Sequence, residues 1–183
     1  MRVLITAATR HDATREIAEA IGAGLAERGI DTETHPIDEV TDLSGYDAVV
    51  LGSAVYMGRW LKPARQIAEH NGTALAAIPV WLFSSGPLGP PEHPVPGEPA
   101  DITKLVKLTG AREHRVFSGR LERERLGFAE RAAVKAVHAP EGDCRDWSAI
   151  DVFAGEIAAQ LAAAHLREGG DPRKSSELPV AQP

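Results

Sequence analysis

Two stretches of this chain combine residue types and spacings suited to holding a phosphate and a flat ring. The first is Thr6-Ala7-Ala8-Thr9-Arg10-His11-Asp12-Ala13-Thr14, which follows the apolar run Val3-Leu4-Ile5 and leads into residues of helical periodicity. A loop between a strand and a helix N-terminus offers unpaired backbone N–H groups at the positive end of the helix dipole. A phosphate dianion fits there without a side-chain cation. The hydroxyls of Thr9 and Thr14 would add donors. The alternative is that Asp12 or Thr14 simply caps the helix, with Glu16 in its first turn.

The second stretch is Gly52-Ser53-Ala54-Val55-Tyr56-Met57-Gly58-Arg59-Trp60. Aromatic residues are only 5% of the chain, so two in one loop favour a surface for a flat, apolar ring over chance placement. Such contact adds about 0.5 to 1.5 kcal/mol beyond burial, and glycine lets backbone approach a ring edge. The alternative is that Trp60 packs under the following helix and Tyr56 lies at the surface. A third loop, Ser84-Ser85-Gly86-Pro87-Leu88-Gly89, follows another apolar run.

These loops need elements to hold them. Val3–Ile5 reads as a first strand, and residues 13–28 as a helix in which Ile17, Ile21 and Leu25 recur every four positions until Gly29 stops it. Residues 31–36 form a weak second strand, and Asp47-Ala-Val-Val-Leu-Gly-Ser a strong third one ending at Gly52. Leu61 to His70 reads as a helix, Ile78 to Phe83 as strand four and Arg115 to Ser118 as strand five. The last helix runs from Trp147 to about Leu166, with Trp147, Ile150, Phe153, Ile157, Leu161 and Ala164 on one face. Alternating strands and helices imply right-handed parallel crossovers, an α/β class and the strand order 2-1-3-4-5. Ligands of such sheets sit beyond the C-terminal ends of strands one and three.

Residues 86–99, with six prolines and three glycines, read as a surface loop, and residues 169–183 as a disordered tail after a domain spanning 1–168. Several function classes are disfavoured. The formal net charge of -6 over 183 residues argues against nucleic acid as a partner. Cys144 is the only cysteine, which excludes an intrachain disulfide and a cysteine metal cluster. The seven histidines show no metal-ligand spacing and read as surface residues. The sequence contains no G-x-G-x-x-G after strand one and no G-x-x-x-x-G-K-[ST], and strand three ends without the carboxylate of a receiver domain. The N-terminus turns polar too soon for a signal peptide, and no stretch approaches the roughly 20 apolar residues of a membrane span. The expectation is a cytoplasmic protein with no transmembrane segment, peripheral membrane contact being left open.

Taken together, Thr9-Arg10, Thr14-Arg15-Glu16-Ile17-Ala18, Tyr46 to Gly52, Gly58-Arg59-Trp60 and Asp146-Trp147 resemble the flavodoxin-domain family. Over residues 1–166 the chain is most similar to its menaquinone-dependent protoporphyrinogen oxidase branch. The resemblance implies a flavodoxin-like three-layer sandwich, non-covalent FMN and a two-electron redox role. Matched position by position, Thr9 and Thr14 would bind phosphate and Tyr56 to Trp60 would flank the flavin. The cofactor set is then Thr6, Ala8, Thr9, Arg10, His11, Asp12, Ala13, Thr14, Ser53, Ala54, Val55, Tyr56, Met57, Gly58, Arg59, Trp60, Ser84, Ser85, Gly86 and Leu88.

The chain departs from the family pattern in three places. Asp12-Ala13 stands where a glycine commonly precedes the last threonine. The third loop lacks the tyrosine that covers the outer flavin face in many flavodoxins, leaving His93 or Leu88 to substitute. Gly119 to Arg145 is shorter than the branch's insertion; its Arg120, Arg123, Arg125, Arg131 and Lys135, offset by Glu122, Glu124 and Glu130, read either as a solvated helix face with paired charges or as a basic cluster for porphyrinogen propionates or anionic lipid. The expected function is an FMN-dependent oxidoreductase acting on a quinone, a porphyrinogen or another redox partner. A small electron-transfer protein and an interaction module that has lost flavin are the alternatives.

Overall fold

The opening strand runs three residues past the apolar run that announces it. In the computed structural model, which describes residues 1–86, 98–122, 124, 127, 131 and 141–169, β1 spans Arg2–Ala8. It pairs in parallel with β2 (Asp31–Pro36) on one side and β3 (Ala48–Tyr56) on the other. Next to β3 lies β5 (Val80–Ser85), then β6 (Glu113–Phe117). The parallel order is therefore β2-β1-β3-β5-β6, and a short β4 (Arg59–Trp60) joins β3 alone. Apart from β4 this is the order 2-1-3-4-5 expected for five parallel strands.

Alternation along the strands divides the interior into two cores. Val3, Ile5, Ala7, Ala48, Val50, Trp81, Phe83 and Phe117 face α1 (Ala13–Glu27) and α5 (Trp147–Gly169). Leu4, Ala8, Val49, Leu51, Val80 and Leu82 face α2 (Lys62–His70), α3 (Gly72–Ala76) and α4 (Ile102–Thr109). The three layers follow from strands apolar on both faces. Helices α3 and α4, and the two-stranded ribbon of β7 (Arg120–Leu121) and β8 (Gly142–Asp143), are additions to the elements expected from the sequence.

Helix α5 corrects one expectation. Trp147–Leu166 is long and apolar enough, by length and composition, to cross a membrane. Its Ile150, Phe153, Ala154, Ile157 and Leu161 are instead buried in the first core, as the face listed by periodicity requires. Trp147 itself lies half-exposed. Leu88, His93, Arg123, Arg125, Phe128, Lys135, most of the proline-rich stretch and the tail from 170 onward lie outside the described residues.

The Tyr46-Asp47 pair staples the sheet at its opposite end. The Asp47 carboxylate accepts the Arg2 backbone N–H at 2.7 Å. Tyr46 donates its hydroxyl to Glu33 at 2.7 Å, and Arg2 and His35 bond the same carboxylate. The Tyr46 hydroxyl, then Arg2 and His35, hold the Glu33 carboxyl down to about 2. A carboxyl whose folded pKa is depressed gives stability that is present above its unfolded value, roughly 4.3, and lost as pH falls toward 2. Thermal melts from pH 5 to pH 2 should therefore show a falling Tm in wild type and a shallower fall in Glu33→Gln.

Candidate functional site

The C-terminal ends of β1, β3 and β5 align in one row, with Ala8 beside Ser53 and Ser53 beside Ser84. Three segments leave this row, and the two loops singled out in the sequence lie side by side. The first is shorter than Thr6–Thr14. Thr6 and Ala8 belong to β1, and the Thr6 hydroxyl donates to His35 O at 2.9 Å. Both side chains are buried, so the exposed turn is Thr9 to Asp12.

Helix α1 begins without a side-chain cap. Asp12 occupies the N-cap position in the left-handed region, at φ 63°, and makes no capping hydrogen bond. Aspartate tolerates this conformation better than most residues, but glycine adopts it without steric cost. Asp12 thus holds a backbone conformation that glycine would adopt more easily. Its carboxylate is drawn along the helix toward Arg15, at 3.4 Å, while Arg15 also reaches Glu19 at 2.5 Å. The capping alternative therefore does not describe Asp12, and the helix N-terminus faces the turn with its dipole uncompensated by a cap. Thr14 is buried in the first turn.

The second segment is a hairpin rather than a loop. Strand β3 continues through Tyr56, Met57 and Gly58 turn at φ 50° and 72°, and β4 returns with Val55 opposite Trp60 and Tyr56 opposite Arg59. Two consecutive positive φ values define the tight turn whose twist matches paired strands. Met57, Gly58 and Arg59 are exposed at the tip, and Val55 and Tyr56 are partly buried. The Arg10 guanidinium lies 4.7 Å from the centre of the Tyr56 ring, a cation–π contact joining the two segments.

Several residues placed in the cofactor set are turned inward. Trp60 is 2% exposed and donates its indole N–H to Ser84 Oγ at 2.8 Å. It packs beneath the helices instead of presenting a ring face. Ser53 donates to Ala54 O at 2.8 Å and accepts the Leu61 N–H at 2.9 Å. Ala54, Ser84 and Ser85 are buried as well. These residues belong to the hairpin or to the end of β5 beneath it, while Thr9, Arg10, His11, Asp12, Ala13, Val55, Tyr56, Met57, Gly58, Arg59 and Gly86 remain at least partly accessible. Gly86, at φ 88°, donates its N–H to Phe117 O at 3.0 Å.

Behind α1 sits a charge cluster. Arg145 donates to Glu16 at 2.7 Å, to Ala13 O at 3.3 Å and to Asp143 at 2.6 and 2.8 Å, with the Trp147 ring 4.3 Å away. Arg120 bonds Glu16 at 3.1 Å and reaches Glu122 at 3.4 Å. Burial pushes the Glu16 carboxyl up, but Arg145 and Arg120 outweigh it and hold the carboxyl below its ordinary range. Arg120 is thus paired with acidic neighbours, as the reading of this stretch as paired surface charges has it.

His114 is a second correction. Its side chain is 5% exposed, with Nε2 2.8 Å from Ser84 Oγ, so it is not a surface histidine. Asp101, whose carboxylate receives the Trp60 backbone N–H at 3.3 Å, had no local sequence signal, because it lies 41 residues away.

Comparison with known proteins agrees with this geometry. The chain is 28% identical over 173 residues to protoporphyrinogen IX dehydrogenase (quinone) of Escherichia coli K12, covering 86% of this chain and 95% of that one. Among solved structures, an archaeal flavodoxin matches with a TM-score of 0.60 at 15% identity, over 88% of this chain and 99% of its own. A Streptococcus pneumoniae flavodoxin matches with a TM-score of 0.57 at 17% identity, over 87% and 99%. The model of the flavodoxin domain matches residues 4–148, and the chain belongs to the flavodoxin-domain family.

Proposed function

We propose that this chain binds FMN non-covalently and works as an FMN-dependent oxidoreductase of the protoporphyrinogen dehydrogenase type, with a quinone as electron acceptor. The observation that carries this reading is the uncapped N-terminus of α1, next to an exposed hairpin at the β1/β3 switch point. The residues fit the group. The Thr9–Ala13 backbone and the α1 dipole suit a phosphate, with the partly exposed Thr9 adding a hydroxyl to the same turn. Tyr56 to Arg59 form one lip of the ring site, and Ser85-Gly86 end the strand on the other side. Bound FMN supplies two-electron redox chemistry.

The chain's own residues set the terms of binding. Arg10, stacked on Tyr56, brings positive charge beside the phosphate turn, and Arg59 offers a cation at the hairpin tip. A cation near a reduced flavin stabilises added negative charge and raises the reduction potential, which suits an oxidase more than a low-potential carrier. Arg15 keeps the Asp12 carboxylate off the phosphate. Asp12→Gly should therefore raise FMN affinity about three- to tenfold, since it removes a like charge and a non-glycine residue from the left-handed turn. Titration calorimetry of the two proteins would check this, and weaker binding in Asp12→Gly would show that the carboxylate assists.

The activity is tested by mixing FMN-loaded protein with protoporphyrinogen and a soluble quinone under anaerobic conditions. Quinone-dependent porphyrin formation supports the reading. Bound flavin with no turnover, together with a two-electron potential well below that of free FMN, would favour an electron carrier.

A further inference from the structure

The hairpin is tied to the segment Glu98–Asp101, which emerges from the proline-rich stretch. The Ala100 N–H donates to Gly58 O at 2.8 Å. The Asp101 carboxylate receives the Trp60 backbone N–H and lies 3.6 Å from Arg65. A further connection passes through the interior. Trp60 Nε1–H donates to Ser84 Oγ, Ser84 Oγ lies 2.8 Å from His114 Nε2, and His114 Nδ1 lies 3.7 Å from Glu98 Oε1.

The direction of this chain follows from what each group can do. An indole N–H only donates, so Ser84 Oγ accepts from Trp60; with Nδ1 facing the Glu98 carboxylate, the His114 proton belongs on Nδ1, which leaves Nε2 to accept the Ser84 hydroxyl. His114 is then a neutral imidazole with its proton on Nδ1, facing Glu98. Burial pushes its pKa down, against an opposite pull from Glu98, in keeping with that neutral form. Nδ1 is buried and has no hydrogen-bond partner among the described residues. A buried donor left unsatisfied is costly, and Glu98 stands within about 1 Å of hydrogen-bond distance from it.

We propose that His114 is a positioning residue for the flavin lip: it fixes the Trp60 indole through Ser84, and its Nδ1–H is the point at which Glu98 couples the Glu98–Asp101 segment to that lip. This rests on the FMN reading above. Closing the Glu98 contact completes the chain and holds Tyr56 to Arg59 in place. A flavin or substrate that draws Glu98 inward therefore strengthens the lip, and the coupling is reciprocal.

The test reads Trp60 and FMN separately. The indole N–H of Trp60, assigned by NMR with Trp60→Phe, should exchange slowly with solvent in wild type. In His114→Phe and in Ser84→Ala exchange should be at least about tenfold faster. FMN affinity should fall about fivefold for the lost hydrogen bond, and the visible band of bound FMN should shift. His114→Gln, whose amide oxygen can accept the Ser84 proton, should recover most of both. The Ser84→Ala/His114→Phe pair should lose no more than the larger single change, as expected of one chain. Unchanged indole exchange in His114→Phe would overturn the proposal. So would faster exchange with unaltered FMN affinity and spectrum, which would reduce His114 to packing. If His114→Phe does not fold, Ser84→Ala and His114→Gln decide by the same two readouts. If wild type takes up no FMN, the proposed function fails first, while indole exchange still reports on the His114 chain.

Discussion

Replacing Gly52 with alanine should cost about 3 kcal/mol or more, a large share of the roughly 5 to 15 kcal/mol that holds a domain folded. A Cβ built on Gly52 would lie 2.1 Å from Phe83 Cζ and 2.3 Å from Cε1. Gly52 and Phe83 sit opposite one another in the central strand pair, so the ring has taken the volume that a side chain would occupy. Phe83 has little room to move. Its ring is 6.1 Å from Phe117, which is in turn 5.7 Å from Phe153 of α5, and all three rings are buried. The close approach that glycine permits here is to a core ring and not to a ligand, a different role from the one its place before the hairpin suggested. Urea melts should show the loss, and Phe83→Leu in the Gly52→Ala background should restore part of it, because the two changes share one contact. Gly58→Ala is the contrast. Its Cβ would meet nothing within 4 Å, so only the positive φ opposes it, at about 1 kcal/mol.

Replacing Arg145 with methionine should cost about 2 to 3 kcal/mol and weaken FMN binding as well. Its guanidinium is nearly enclosed and serves Glu16, Asp143 and the Ala13 carbonyl at once. Taking away one member of such a set leaves charges desolvated without their partner, and this exceeds the value of the pair itself. Glu16 and Asp143 keep some contact with water, which holds the cost below that of a fully buried pair. The effect on FMN follows from position. Ala13 and Glu16 lie in the first turn of α1, so loss of Arg145 releases the end of the helix that faces the Thr9–Asp12 turn, the proposed phosphate site. Exposed pairs such as Lys104 with Glu69 should contribute little, because solvent and salt screen them. Lys104→Ala is therefore the control in both denaturation and FMN titration.

The features legible in the sequence were those carried by local periodicity. Ile17, Ile21 and Leu25 marked α1 and its start, and short apolar runs marked the strands and their order. The strand ends were misread because Thr6, Ser53, Ser84 and Ser85 look like loop residues. Each is buried, and the hydroxyls of Thr6, Ser53 and Ser84 are bonded to backbone or to neighbouring side chains. Strand β4 is two residues long and has no pattern to read. The turn at the N-terminus of α1 and the exposed hairpin tip were legible because each rests on a contiguous run of residues. The supports of the site were not, since they come from far along the chain. His114 and Ser84 are 30 residues apart, Trp60 and Asp101 are 41 apart, and Arg145 and Glu16 are 129 apart. Only the fold brings such groups together, and no spacing rule anticipates them.

Titrating the flavin-free protein with FMN and separately with riboflavin, while following flavin fluorescence, decides whether the turn from Thr9 to Ala13 holds the phosphate of a flavin. The two ligands share the ring system and differ only in the phosphate. Charge-assisted hydrogen bonds to the helix N-terminus should make FMN bind at least about 100-fold more tightly than riboflavin. Equal affinities would contradict the phosphate site, and no binding of either ligand at micromolar concentration would contradict the flavin site altogether.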